Sequence, residues 1–152
     1  MGEIKVGDEL PLFGAKDQNG NDFYVASVLY AKALVIYFYP KDDTPGCTKQ
    51  ACFFRDQYEE FKDLGVEVIG ISGDSVESHE KFAAEYKLPF TLLTDKGKSL
   101  RKLFGVKTNL LGLLPGRVTY VIDKKGVVRL VFDSMNAESH FLKVLDAVKK
   151  LV

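Results

Sequence analysis

Hydrophobic positions along this chain fall into two periods, and the switches between them mark its elements. Residues 33–39 (ALVIYFY) are continuously apolar and rich in β-formers, which predicts a central strand buried on both faces. Val66–Ser72 (VEVIGIS) predicts a second such strand. Between them Cys47, Ala51, Phe54, Tyr58 and Phe61 recur at spacings of 4, 3, 4 and 3, one core-facing stripe of a helix that begins near Pro45-Gly46-Cys47. Gly65 supplies its stop. Asp74-x-x-Glu77 reads as a capping box for a helix reaching Tyr86 and ended by Leu88-Pro89. A short strand is expected over 90–94, a short helix over Ser99–Phe104, and an apolar loop over 109–116 (NLLGLLPG). Strands over 117–123 and 127–132 flank Lys124-Lys125-Gly126, a tight hairpin. A last helix over 138–152 puts Phe141, Val144, Leu145, Val148 and Leu151 on one side. Before all of these, the apolar run Leu10-Pro11-Leu12-Phe13, the turn-rich 17–21 and the strand 22–25 signal an N-terminal β-hairpin.

Strands separated by helices, with a hairpin and a terminal helix, describe an α/β domain with a mixed central sheet flanked by helices. A thioredoxin-like fold fits that order. The length of 152 residues suits one domain spanning 1–152, large enough to be stable without disulfide staples. Lys+Arg and Asp+Glu both number 21, so no net field draws the chain to nucleic acid or to an anionic membrane. No apolar run reaches the ~18 residues of a membrane span. The segment MGEIKVGDEL lacks a signal-peptide core, and Val6 breaks a myristoylation motif. A cytoplasmic location is expected, with an organelle such as the plastid allowed if a targeting segment has been removed.

The 2 cysteines, Cys47 and Cys52, are too few for a disulfide framework, and His79 and His140 lie too far away in sequence to complete a zinc site with them. In a reducing compartment such a pair points to catalysis or redox sensing. Cys47 falls in a helix first turn, where unpaired backbone N–H groups and the positive end of the dipole favour an anion, and the thiolate is the nucleophilic form of cysteine. Pro45 suits that first turn. Thr44 can place a hydroxyl beside the sulfur, and Pro40 can wall off one side. Cys52 lies five residues on. In an intact helix the two Cα atoms would be roughly 8–9 Å apart, beyond the ~7 Å limit for a disulfide. The pair can bridge only if the helix unwinds locally.

The segment Pro40-Lys41-Asp42-Asp43-Thr44-Pro45-Gly46-Cys47 matches the Pro-x-x-x-Thr-x-x-Cys motif of peroxiredoxins, and YFYPKDDTPGCTKQAC resembles the bacterioferritin comigratory protein, or peroxiredoxin Q, subfamily. Gly70-Ile71-Ser72 with 74–79, and Leu113-Leu114-Pro115-Gly116-Arg117 before 119–123, are similar to later blocks of that subfamily, so the resemblance covers nearly the whole chain. Phe53 departs from it, since many members carry a small residue there. The resemblance implies that Cys47 attacks a peroxide and becomes a sulfenic acid, and that Cys52 resolves it as an intramolecular disulfide. Thioredoxin or a similar dithiol donor would reduce that bond. It implies that Arg117 holds thiolate and peroxide, that Thr44 hydrogen-bonds the peroxide, and that no metal or other cofactor is needed.

Blander readings stand beside these. Cys52 can be a spectator, with an external thiol resolving the intermediate. Arg117 can be a strand-end charge. His79 reads as a partly buried packing residue on a face with Phe82, Ala83 and Tyr86, and His140 is similar. Asp42 and Asp43 read as solvated turn residues. Residues 110–114 fit a partner patch and burial against their own core equally. A monomeric thiol peroxidase is the leading reading; a redox sensor using the same pair, and a general disulfide oxidoreductase, are the rivals.

Overall fold

Seven strands form one sheet in the order β2-β1-β5-β4-β3-β6-β7. The computed structural model describes residues 3–107 and 116–151. The strands are β1 (Gly14–Asp17), β2 (Asp22–Tyr24), β3 (Ala33–Phe38), β4 (Val66–Ser72), β5 (Thr91–Thr94), β6 (Val118–Ile122) and β7 (Val128–Asp133); the helices are α1 (Pro45–Asp63), α2 (Val76–Tyr86), α3 (Ser99–Phe104) and α4 (Ala137–Lys150). β3, β4 and β5 run parallel, while β6, β7, β1 and β2 join antiparallel, giving the expected mixed sheet.

Every residue of β3 is buried, as its unbroken apolar run requires. Its alternate side chains divide the core in two. Val35 and Tyr37, with Tyr39 beyond them, join Ala51, Phe54 and Phe61 of α1, Phe82 of α2, and Val144 and Val148 of α4. Leu34, Ile36 and Phe38 face the other way, onto Ile4, Leu10, Val25, Leu29 and the α3 residues Leu100 and Phe104. Cys47 belongs to the first cluster. The helix carrying it is therefore anchored by large buried side chains; removing one such as Phe54 costs roughly 3–5 kcal/mol.

The helical stripe on α1 is real except at Tyr58, which is half-buried with its hydroxyl donating to Glu67 Oε1 at 2.8 Å. Leu64 caps the end of α1, and Gly65 takes φ 76°, a left-handed conformation that favours glycine. Phe53 stacks on Phe141 of α4 with ring centroids 4.3 Å apart and planes 10° from parallel. The Phe53 ring thus fills the seam between α1 and α4.

Two expected boundaries shift. The hairpin exists, but its first strand starts at Gly14 rather than in the run 10–13. Leu10 instead donates its N–H to Gly126 O at 2.9 Å, and Glu9 bridges Val127, so that run crosses to the β6–β7 turn. The cap of α2 is Ser75, whose Oγ accepts from Ser78 N at 3.1 Å, not Asp74. The Asp74 carboxylate is taken by Asp42 N at 2.8 Å and Ser72 Oγ at 2.6 Å. The expected loop 109–116 lies outside the described residues except for Gly116.

Candidate active site

Cys47 sits in the first turn of α1, at the end of the sheet where β3 delivers the chain. Pro45 opens the helix where the sequence places its start, and Thr44 is its N-cap. Thr44 makes no side-chain cap; its Oγ1 donates to Lys41 O at 2.9 Å. Among the described residues, neither the Gly46 nor the Cys47 amide finds a hydrogen-bond partner, while Thr48 N bonds Thr44 O. Two N–H groups are left at the helix start beside the sulfur.

Arg117, next to the first residue of β6, reaches across to this turn. Its Nη2 donates to Cys47 Sγ at 3.4 Å, its Nη1 to Gln50 Oε1 at 2.6 Å and its Nε to Met135 O at 3.2 Å. Cys47, Gln50 and Arg117 are all buried. A buried guanidinium needs compensation, yet none of these partners is a carboxylate. The anion this charge can meet directly is the sulfur of Cys47 in its thiolate form. Gly46 leaves room for the approach, since a Cβ there would stand 3.0 Å from Arg117 Nη2 and press on it. A cavity of about 280 Å³ lined by Pro45, Gly46, Lys49, Asn136, Ala137 and Glu138 opens beside the same turn.

The structure thus brings Cys47 and Arg117 together. Pro40 and Thr44 are half-buried on the loop before the helix, and Cys52 is half-buried one and a half turns along α1. Both cysteines are free, and α1 is continuous through them.

Four further groups complete the site, and the sequence reading missed them. Gln50 shares the Cys47 side of α1, and a polar residue inside an otherwise apolar stripe was the signal available. Arg101 of α3 is buried; it donates through Nη1 to Gly116 O at 3.0 Å and through Nη2 to Tyr39 O at 2.9 Å, tying together the segments that carry Arg117 and Cys47. Burial pulls the Arg101 guanidinium below the usual arginine range, with Asp95 opposing.

Tyr37, fully buried, has no hydrogen-bond partner for its hydroxyl among the described residues. Burial holds that phenol well above its usual range, and negative charge at Cys47 and Asp42 adds to the effect.

His140, expected to be a bland packing residue, is buried and fully bonded. Ser134 O, an acceptor only, lies 2.7 Å from Nε2, so Nε2 carries the proton and Nδ1 accepts from Thr119 Oγ1 at 2.8 Å. Burial pushes this imidazole down to about 4, with the charge of Arg117 contributing.

Two other expectations are overturned. Asp42 is not a solvated turn residue: it is 6% exposed, and its carboxylate accepts from Tyr39 Oη and Ser78 Oγ and lies 2.7 Å from His79 Nδ1. His79 is not partly buried packing but wholly buried, with both ring nitrogens engaged. Asp43 is exposed, as expected. Asp42, Asp74 and His79 bring ligand-type atoms within 4.8 Å of one another. Protein donors already occupy the two carboxylates, so the cluster fits a hydrogen-bond hub and not a cation.

Comparison with known proteins agrees with this geometry. Residues 6–131 match the AhpC/TSA family. A chloroplastic peroxiredoxin Q of Sedum lineare is 54% identical over 151 residues, covering 97% of this chain and 81% of its own. The crystal structure of peroxidoxin BcpB from Mycobacterium tuberculosis superposes with a TM-score of 0.89 at 36% identity, over 99% of both chains. The bacterioferritin comigratory protein of Xanthomonas campestris, solved in work on its alkyl peroxide reduction activity, gives 0.83 at 30% identity over 94% of this chain and 98% of its own. A buried cysteine at a helix start, an arginine against its sulfur and this ancestry agree: the chain belongs to the AhpC/TSA family, among its peroxiredoxin Q members, and is a peroxidase of the oxidoreductase class.

Proposed function

We propose that this protein reduces hydrogen peroxide and organic hydroperoxides through Cys47, with Cys52 as the resolving thiol. The Cys47 thiolate attacks one peroxide oxygen and the O–O bond breaks. Cys47 becomes a sulfenic acid, and the other oxygen takes a proton and leaves as water or alcohol. Cys52 then displaces the hydroxyl of the sulfenic acid, forming the Cys47–Cys52 disulfide and releasing water. A dithiol donor of the thioredoxin type restores both thiols by exchange and is itself oxidised.

The observation that carries this reading is the Arg117 Nη2 to Cys47 Sγ contact at 3.4 Å, inside a buried cluster with no carboxylate on the guanidinium. The same fixed charge can bind a peroxide oxygen as negative charge develops on it, and the unpaired amide of Cys47 points to the same task. The Thr44 proton is committed to Lys41 O, so Oγ1 offers lone pairs and acts as acceptor for a peroxide O–H. Pro40, half-buried, walls the site. The chain acts as a monomer in this reading. The relative studied for alkyl peroxide reduction supports organic hydroperoxides as substrates. The relative named chloroplastic supports the plastid location allowed for above.

The test is a coupled assay in which peroxide drives NADPH oxidation through thioredoxin reductase and thioredoxin. Activity is expected with hydrogen peroxide and with an alkyl hydroperoxide, and none with Cys47→Ser. A Cys47→Ser protein that kept turning over would sink the assignment.

A further inference from the structure

The loop from Tyr39 to Thr44 hands the chain to Cys47, yet the reactive groups do little to hold it. Its anchor is α2. Asp42 Oδ1 accepts from Tyr39 Oη at 2.6 Å, and Oδ2 accepts from Ser78 Oγ at 2.9 Å and lies 2.7 Å from His79 Nδ1. His79 Nε2 lies 3.0 Å from Leu93 O. A carbonyl only accepts, so Nε2 carries a hydrogen. The short contact between Nδ1 and a carboxylate oxygen then encloses a second proton. A continuous string runs from the β5 backbone through His79 and Asp42 to Tyr39, and His79 is 0% exposed.

The backbone is gripped as well. Asp42 N donates to Asp74 Oδ2 at 2.8 Å. Asp43 adopts φ 58°, a left-handed conformation that costs a residue with a Cβ roughly 1–2 kcal/mol. Such a conformation persists where its surroundings over-determine it, and Tyr86 Oη donates to Asp43 Oδ1 at 2.8 Å to help hold it. Ser78, His79 and Tyr86 all belong to α2, so one helix fixes the approach to the reactive turn from Asp42 to Asp43.

We propose that Asp42 and His79 are positioning residues for the peroxide reaction: their buried pair fixes the loop that sets Thr44 against the peroxide beside Cys47. Neither touches the sulfur. The clamp stops at Asp43, so Thr44, Pro45 and Gly46 form the segment that gives way when Cys52 must be reached, and the clamped end sets the geometry to which the turn returns. This inference rests on Cys47 being the attacking thiol.

The test uses the full chain with Cys52→Ser as parent, so that Cys47 is the single thiol. Two rates are compared: oxidation of Cys47 by hydrogen peroxide, and its alkylation by iodoacetamide, which needs the thiolate but not the peroxide-binding groups. His79→Ala is expected to slow peroxide oxidation about 10–100-fold, the scale of a misplacement near 1 Å, with alkylation within about twofold of the parent. Tyr86→Phe, which deletes one hydroxyl at the surface, is expected to slow oxidation roughly two- to fivefold, the weight of one hydrogen bond. A folded His79→Ala that oxidises at the parent rate overturns the inference, as does an equal loss in both rates. If His79→Ala does not fold, Tyr86→Phe decides, and an unchanged rate there overturns it. A parent that consumes no peroxide would instead sink the reading of Cys47.

Discussion

Arg117 Nη2 stands 3.4 Å from Cys47 Sγ across 70 residues of sequence. The sheet makes this meeting: β6 pairs antiparallel with β3, placing the start of β6 beside the end of β3, where α1 begins. Each guanidinium nitrogen then holds one partner, sulfur, an amide oxygen or a backbone carbonyl, and two of the five N–H donors of an arginine are left over for a peroxide oxygen.

Arg117→Lys keeps a charge but cannot make all three contacts, so oxidation of Cys47 by peroxide should slow on the order of 10–100-fold. Arg117→Met removes the charge and strands Gln50 Oε1, and should cost on the order of 10²–10³-fold. Stopped-flow measurement of the second-order constant checks both. A lysine variant as fast as the parent would show that charge alone suffices.

Gly46→Ala should act through Arg117, because the added Cβ would press on Nη2 from 3.0 Å. The arginine end is pinned by Gln50 and Met135, so it cannot yield without leaving the sulfur. A loss of about tenfold in peroxide rate is expected with little change in helix content by circular dichroism. An alanine variant that kept full activity would mean the guanidinium has room the geometry denies.

The first turns of α1 should open on oxidation. In the reduced protein the helix is continuous from Pro45 to Asp63, which keeps Cys47 and Cys52 too far apart to bond. Amide exchange across residues 45–55 should be slow before peroxide and markedly faster after it. Cys52→Ser should consume about one peroxide per subunit and then stop when thioredoxin is the donor, in keeping with a sulfenic acid that lacks its partner. Unchanged protection, or full turnover by that variant, would remove Cys52 from the mechanism.

Acid should destabilise the fold in part through His140. Its imidazole titrates near the ordinary 6.5 when unfolded and is held down to about 4 when folded, because burial opposes its charge. Between those values the unfolded chain binds a proton that the folded one does not. The stability His140 contributes is complete above about pH 6.5 and drains away as pH falls toward 4, on the order of 1–3 kcal/mol in all. Melting temperature against pH should therefore be steeper over this window for the parent than for His140→Gln. Parallel curves would count against a neutral, buried His140.

The legible parts of this protein were the local ones. The unbroken apolar run of β3, the stripe from Cys47 to Phe61 and the turn chemistry of Lys124-Lys125-Gly126 each state their conformation within a few residues, because periodicity and backbone restriction are properties of neighbours. Cys47, Cys52, Thr44, Pro40 and Arg117 were picked out the same way, from a motif and its spacing.

What needed the tertiary structure was every group whose meaning lies in a partner far along the chain. Asp42 sits in a polar turn by composition, and only the packing of α2 across it turns a turn carboxylate into a buried hub for Tyr39, Ser78 and His79. Asp74 had the right spacing for a cap, but Asp42 N competed for it and Ser75 took the role. Gln50 and Gly46 became site residues only when β6 brought Arg117 between them. Local sequence determined which segments fold and which cysteine starts a helix. The closure of the sheet decided which charges are buried together, because desolvation and hydrogen bonding depend on neighbours in space.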